Sequence, residues 1–309
     1  MTRPGFPSTS GSRGQRTPGS GGPAFAILQA PWLNALLNVL AVVGAAVTIG
    51  VLAWGISTDR FAVPGGDVAN YLAAGQRLTD GVQVYVGAWN VPGTVYYAPP
   101  IIVAFGVLAF LPGTLVWLAL CALDLAGLRY VAGSWRAAGL WGLIPLTGFE
   151  LAGGNPNFAI VAAILLAARG SAGPLALAAL VKLGPVFALP RRGIWTFAIW
   201  LLVALGLTLP WLALWPEWIT FLLAAPLGGA WPVIVPLIVR IPIGAVLLAT
   251  RRDGTRMLAA CLLTPGFYIV TAYATIILAV RLVRDYQAER TAGATPAGAT
   301  PAEVPAGTS

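Results

Sequence analysis

The chain has 309 residues, 58% hydrophobic and only 9% charged, with mean hydropathy +0.82. A soluble globular domain carries roughly 25% charged residues, so this composition excludes one and describes an all-α polytopic membrane protein. The net charge of +8 sits in short connections and tails, as the positive-inside bias expects, and no aromatic-interleaved basic patch suits nucleic acid.

Residues 1–22 are rich in Gly, Ser, Pro and Thr with Arg3, Arg13 and Arg16, which predicts a disordered, cytoplasmic tail. A helical membrane domain is expected over 23–285. Its first run, Pro31 to Ile56, exceeds the roughly 20 residues a bilayer core needs. It is also longer than a signal-peptide core, so it is expected to stay in the protein.

Residues 57–98 then form a first external loop. Within it, Gly65 to Pro100 is the longest polar interval of the chain. Helical spacing puts Val68, Tyr71, Leu72, Gly75 and Leu78 on one face, and Asp67, Asn70, Ala74 and Arg77 on another. The pattern predicts an interfacial helix that holds Asp67 at the boundary of lipid and water.

The later apolar runs are shorter and punctuated by Gly and Pro. They are Pro99 to Leu111, Thr114 to Val131, Ala137 to Ala152 and Phe158 to Ala168. Gly173 to Pro190, Ile194 to Leu214, Trp231 to Thr250 and Met257 to Leu282 follow. Counting from a cytoplasmic start gives about nine transmembrane helices, within a range of 8–10. Arg191-Arg192 and Arg251 to Arg256 then fall inside, and the 57–98 loop outside. The last run is broken at Thr264-Pro265-Gly266, so a re-entrant piece plus one helix is an alternative, and the side of the C-terminus stays open. Residues 286–309 predict a second disordered tail. Short, Pro-broken helices argue for a bundle around a polar cavity.

The chain has no histidine. That removes His-based metal sites, Ser-His hydrolases and His-dependent acyl transfer. Proton transfer falls to a carboxylate, a tyrosine or Lys182. Cys121 and Cys261 lie inside apolar runs and read as buried thiols rather than a disulfide. Asp124, Glu150, Lys182 and Arg240 also lie inside apolar runs. Each such charge costs about 2.5–3.5 kcal/mol on insertion scales and needs a reason. Lys182 is the only lysine among 18 basic residues. It either serves a ligand, snorkels, or pairs with Glu150 or Asp124. Asp124 and Glu150 read as structural partners. Arg240, between Pro236 and Pro242, either binds a phosphate or sugar hydroxyl or pairs with an acid. Asp67 either caps the helix it opens or acts as a base. Tyr85, Trp89, Tyr96 and Tyr97 form a sugar platform or an interfacial aromatic belt.

Asp67, Tyr71, Gly81, Tyr85, Tyr97 and Pro99 together resemble the first external loop of glycosyltransferase family 87. These are GT-C-fold membrane enzymes that use polyprenol-phosphate-linked sugars, typically mannose. Gly173 to Pro190, with Lys182 and Pro185, is similar to the family's Gly-rich helix with its Lys-x-x-Pro break. Gly153 to Asn157 resembles a Gly-Gln-x-Asn junction, with Asn155 where Gln is usual and Asn157 matching. The resemblance covers roughly Pro31 to Leu282, although family members are usually longer.

The resemblance implies an inverting, mannosyltransferase-like hexosyltransferase with its active site external, and the excess of Arg over Lys with a high Ala, Gly and Pro content suggests a bacterial plasma membrane. Asp67 would be the catalytic base. Lys182 and Arg240 would bind the donor phosphate. Asn70, Tyr71, Tyr85, Tyr97, Asn155 and Asn157 would orient substrate. The expected partners are a polyprenyl-phosphate sugar, a lipid or glycan acceptor, and membrane lipids, with no metal and no separate cofactor. Two other readings stand beside it. One is a transporter or lipid flippase, which predicts an internal repeat that the two halves do not display. The other is a catalytically silent scaffold of the same fold.

Overall fold

The computed structural model describes residues 31–58, 66–86, 94–224, 235–264 and 267–294. The expected tail 1–22, residues 295–309 of the expected tail 286–309, and the loop residue Trp89 lie outside the described residues. All regular structure among the described residues is helical. In chain order come α1 (Pro31–Ser57), α2 (Gly66–Thr79), α3 (Pro99–Leu108), α4 (Gly113–Ala132), α5 (Trp135–Trp141), α6 (Leu146–Gly153) and α7 (Asn157–Ala168). Then follow α8 (Gly173–Val181), α9 (Ile194–Leu207), α10 (Leu214–Leu223), α11 (Leu237–Ala249), α12 (Asp253–Leu262) and α13 (Ile269–Ala294).

Helices α1 and α4 are long and apolar enough to cross a bilayer. A third span results if α6 and α7, bent by 96°, count as one broken crossing. Nine full-length helices are therefore not what the described residues display, because Gly and Pro cut the apolar runs. Ala137 to Ala152, expected as one span, is the pair α5 and α6. Ile194 to Leu214 stops at Leu207 and turns through a 3₁₀ segment, Leu209–Trp211, where Pro210 lacks an amide donor. Helix α10 covers the Trp-Pro-Glu-Trp stretch that the sequence assigns to a connection.

Gly173 to Pro190 departs furthest from the expected span. Helix α8 has nine residues, a rise of about 14 Å against a core of about 30 Å. Lys182 is then extended, and the chain returns through a 3₁₀ turn, Gly184–Ala188. A Cβ at Gly193 would lie 2.6 Å from the Ala172 methyl, so both ends of the segment meet. It is a short hairpin with Lys182 at its tip.

A second hairpin, α12 and α13, packs beside the first. Arg256 Nη2 near its start donates to Leu189 O at 2.6 Å. Thr271, in the first turn of α13, approaches the Lys182 tip. Along α13, Arg281 Nη1 and Arg284 Nη1 reach the carbonyls of Val131 and Ala132, each at 3.4 Å, at the close of α4. Asn34, near the start of α1, accepts from Arg136 just beyond that same point. The start of α1 and the second half of α13 therefore meet the same basic end of α4. Helix α13 also continues to Ala294, beyond the tail boundary expected at 285.

Helix α1 lies against α5 and α6 through glycine contacts. A Cβ at Gly139 would stand 2.6 Å from Ala41 O, and one at Gly44 would collide with the Gly139 carbonyl. Its outer face is apolar: Val42 is 70% exposed. Trp195 on α9 and Leu223 on α10 are likewise turned outward. Such surface suits hydrocarbon rather than water. Inside, one core joins α4, α7, α8, α12 and α13, and a second joins α2, α3 and α10.

Candidate functional site

The site forms where α6 breaks into α7. Gly154 ends α6 with φ +70, and a Cβ there would strike the Val68 side chain, so only glycine fits. A sharp break strands main-chain groups that a straight helix would pair. In an apolar interior each needs a partner.

Helix α4 supplies several from one face. Trp117 Nε1 donates to the carbonyls of Leu151 and Ala152 at 3.2 and 3.1 Å. Cys121 Sγ donates to Leu151 O at 3.0 Å. Asp124 Oδ1 accepts from Ala159 N at 2.8 Å. These three positions follow helical i, i+4, i+7 spacing. Glu150 Oε1 adds a bond from Asn157 N at 3.0 Å. Two carboxylates thus hold the start of α7, where free amides and the helix dipole favour negative charge. Asp124 and Glu150 are structural partners, of main-chain amides rather than of a basic side chain.

Lys182 reaches this break from the hairpin tip. Its Nζ donates to Asn157 Oδ1 at 2.5 Å and approaches Thr271 Oγ1 at 3.5 Å. Thr271 Oγ1 itself donates to Asn157 Oδ1 at 3.3 Å. Ala98 N donates to Leu180 O at 2.9 Å, which docks the Tyr97–Pro99 corner on the same tip.

Asp67 arrives from α2. It lies in the first helical turn, with Tyr71 one turn on. Its Oδ2 would stand 3.7 Å from a Cβ at Gly153. Burial pushes its pKa above the usual carboxylate value, while the Lys182 ammonium and a hydrogen bond from Asn155 pull it partly back. The residue nevertheless keeps some accessible surface. Asn155 Oδ1 is buried and has no hydrogen-bond partner among the described residues. Tyr97 Oη donates to Tyr71 Oη at 2.5 Å, with ring centroids 4.7 Å apart. Tyr85 Oη donates to Tyr97 O at 2.8 Å, and its amide donates to Glu217 Oε1 at 3.0 Å.

The fold therefore gathers Asp67, Tyr71, Tyr97, Asn155, Asn157 and Lys182 around one break. Tyr85 joins through Tyr97. Asn70 is half-buried on α2 beside Tyr71. Arg240 differs from its expected phosphate role. It is 1% exposed and donates to the carbonyls of Val235 (2.8 Å), Leu262 and Thr264 (2.5 Å). Its guanidinium carbon is 5.0 Å from the Phe267 ring centroid. It fastens the end of α12, where α-helical carbonyls run out of donors. Thr271 and Trp117 are site-building residues that the sequence did not single out, and Cys121, expected only as a buried thiol, is half-buried and joins them. A lone Thr in Ile-Val-Thr-Ala was the available signal for the first.

Two spaces meet at Tyr97 and Val181. One is lined by Tyr96, Tyr97, Lys182, Trp218, Thr264 and Tyr268. The other is an apolar groove of about 320 Å³ bounded by Tyr71, Tyr97, Leu120, Ala163 and Leu177. Among the described residues, no group of three or more His, Cys, Asp or Glu side chains is placed to hold a metal ion.

Comparison of the chain with protein-family models, with curated proteins and with solved structures returned no match.

Proposed function

We propose that the chain is an inverting membrane glycosyltransferase that moves a sugar, mannose by resemblance, from a polyprenyl-phosphate donor to a lipid or glycan acceptor. The carrying observation is that Asp67 and Lys182, far apart in sequence, reach the two sides of one break: Asp67 Oδ2 would stand 3.7 Å from a Cβ at Gly153, and Lys182 Nζ donates to Asn157 Oδ1 at 2.5 Å. An acid beside an ammonium, next to an apolar groove, matches the two ends of a lipid-borne sugar.

In this reading the acceptor hydroxyl oxygen attacks the anomeric carbon. Asp67 takes the hydroxyl proton as the new C–O bond forms. The bond from the anomeric carbon to the phosphate oxygen breaks, and its electron pair leaves with the phosphate. Lys182 faces that phosphate as a compact point charge. One base and one displacement invert the sugar carbon. A positioned base contributes about 10²–10⁴-fold. Asn155 orients Asp67, and Asn157 with Thr271 holds Lys182. The groove beside Tyr71 and Tyr97 accepts polyprenyl carbon. Arg240 has no part in the reaction. The protein is read as sitting in a bacterial plasma membrane. About nine apolar segments enter the bilayer, some re-entrant, with the N-terminus cytoplasmic and Asp67 external.

The test is a membrane assay with labelled polyprenyl-phosphomannose. Wild-type protein should give a labelled product that Asp67→Asn does not. Equal transfer by Asp67→Asn sinks the base assignment. A transporter is the second reading, favoured by one feature: Asp67, Asp124 and Glu150 all gather at the break that the chain's single, half-buried lysine reaches. Intramembrane acids of this kind also form proton relays. Solute or lipid flux across vesicles without covalent product would select that reading.

A further inference from the structure

A third cavity, which shares no lining residue with the Lys182 space or the groove beside Tyr71, has a different character. It is a slot of about 560 Å³ between α1, α4, α5 and α6. Val42, Ile49 and Leu52 of α1 form one wall, and Leu125 and Leu128 of α4 form another. Val42 and Ile49 are well exposed, so the slot opens sideways on the apolar surface. One end stops at Trp135 and Arg136, at the basic end of α4.

The charges at that end are unbalanced. Arg136 Nη1 and Nη2 both donate to Asn34 Oδ1, a neutral acceptor, at 3.2 Å. The Arg129 guanidinium carbon is 5.8 Å from the Trp135 ring centroid. The salt bridges among the described residues are Arg169–Asp285 and Arg281–Asp285, and neither involves Arg129 or Arg136. Two guanidinium groups at a membrane boundary without a carboxylate favour an anion. The exposed indole between them is a side chain suited to the headgroup level.

We propose that this slot binds one anionic phospholipid, its phosphate at Arg129 and Arg136 and an acyl chain along Val42, Ile49 and Leu125. Charge complementarity selects the head: a zwitterionic lipid would bring its own cation to an arginine-rich end. The apolar walls select a lipid over a free anion, which would leave the slot empty. The site is separate from the Asp67 cluster and does not depend on the proposed transfer reaction.

The full chain in neutral detergent should be titrated with phosphatidylglycerol, phosphatidylcholine and inorganic phosphate. Thermal unfolding and native mass spectrometry are the readouts. Phosphatidylglycerol should raise the Tm by several degrees and remain bound at one per chain. Phosphatidylcholine and phosphate should do neither. Arg136→Ala combined with Arg129→Ala should weaken phosphatidylglycerol binding by about tenfold or more. Ala45→Phe, which fills the slot from an exposed position on α1 and leaves both arginines in place, should do the same. Equal shifts by the two lipids, full binding by Ala45→Phe, or an equal shift with phosphate would each overturn the proposal. So would a cross-link from Phe25 to Val42 in the lipid-free and lipid-saturated chain alike, which would give the slot to the N-terminal segment.

Discussion

Lys182 Nζ donates to Asn157 Oδ1 at 2.5 Å, joining the tip of a short hairpin to the first residue of α7. One asparagine thereby serves two charges, because its main-chain amide also donates to Glu150. Removing its side chain should leave the ammonium with Thr271 alone. We expect Asn157→Ala to lose about 1.5–3 kcal/mol of stability, the range for a hydrogen bond to a charged group. Transfer should fall with it. Thermal unfolding alongside the labelled-sugar assay checks both, and Asn157→Asp, which keeps an acceptor, should recover part of each.

Asp124 should behave as a cap and not as a catalyst. Asp124→Leu strips the acceptor from Ala159 N and leaves a buried amide unmet. The expected cost is about 1–3 kcal/mol, while Asp124→Asn, which keeps an oxygen, should cost far less. Transfer per folded molecule should match wild type in both. A stable Asp124→Asn without activity would instead move Asp124 into the chemistry.

Asp67 gives the pH dependence. Burial raises its pKa, and Lys182 and Asn155 offset part of that rise. A base works only when ionised, so transfer should climb with pH through a midpoint above about 3.9, the ordinary value for Asp. The stability sign runs the other way. A raised folded pKa means that Asp67 favours folding below its ordinary pKa, and that this contribution is lost as pH rises through the raised value. Asp67→Asn should therefore abolish transfer yet unfold at or above the wild-type temperature near pH 7. A pH–rate profile and melting curves at pH 4 and pH 7 test the pair.

Gly44 and Gly50 on α1 make an internal control. A methyl at Gly44 meets the Gly139 carbonyl, whereas one at Gly50 meets nothing within 4 Å. Gly44→Ala should force α1 off α5 at about 1–3 kcal/mol, the usual cost of overpacking. Gly50→Ala should be neutral or stabilising by up to about 1 kcal/mol, from helix propensity. Melting temperatures in one detergent decide it.

Arg240→Met should lower stability by stranding the carbonyls of Leu262 and Thr264, and should leave transfer per folded molecule intact. Unchanged stability with lost transfer would return Arg240 to the donor site.

Composition and run length by themselves determined a helical protein for a membrane, because burying main-chain groups in hydrocarbon leaves helices as the economical answer. The polar interval from Gly65 also announced α2 and put Asp67 in its first turn, since amphipathic spacing is a local property. Lys182 stood out for a similar reason: one ammonium in an apolar run has to be explained. Local pattern did not reach further. Gly173 to Pro190 has the hydropathy of a span, yet it folds back: Gly193 closes on Ala172, and α12 packs so tightly on the returning turn that a Cβ at Gly184 would collide with Ala260 O. Arg240 carries the charge that a phosphate would ask for, yet it is held by carbonyls that only the end of α12 brings to it. Asp124 and Glu150 were visible as buried acids, but their partner is the start of another helix, and main-chain amides leave no mark in a sequence. That Asp67 and Lys182 reach the same break was likewise decided by how α2, α7 and α8 pack, because residues over a hundred positions apart come near one another only through the tertiary contacts that fold them together.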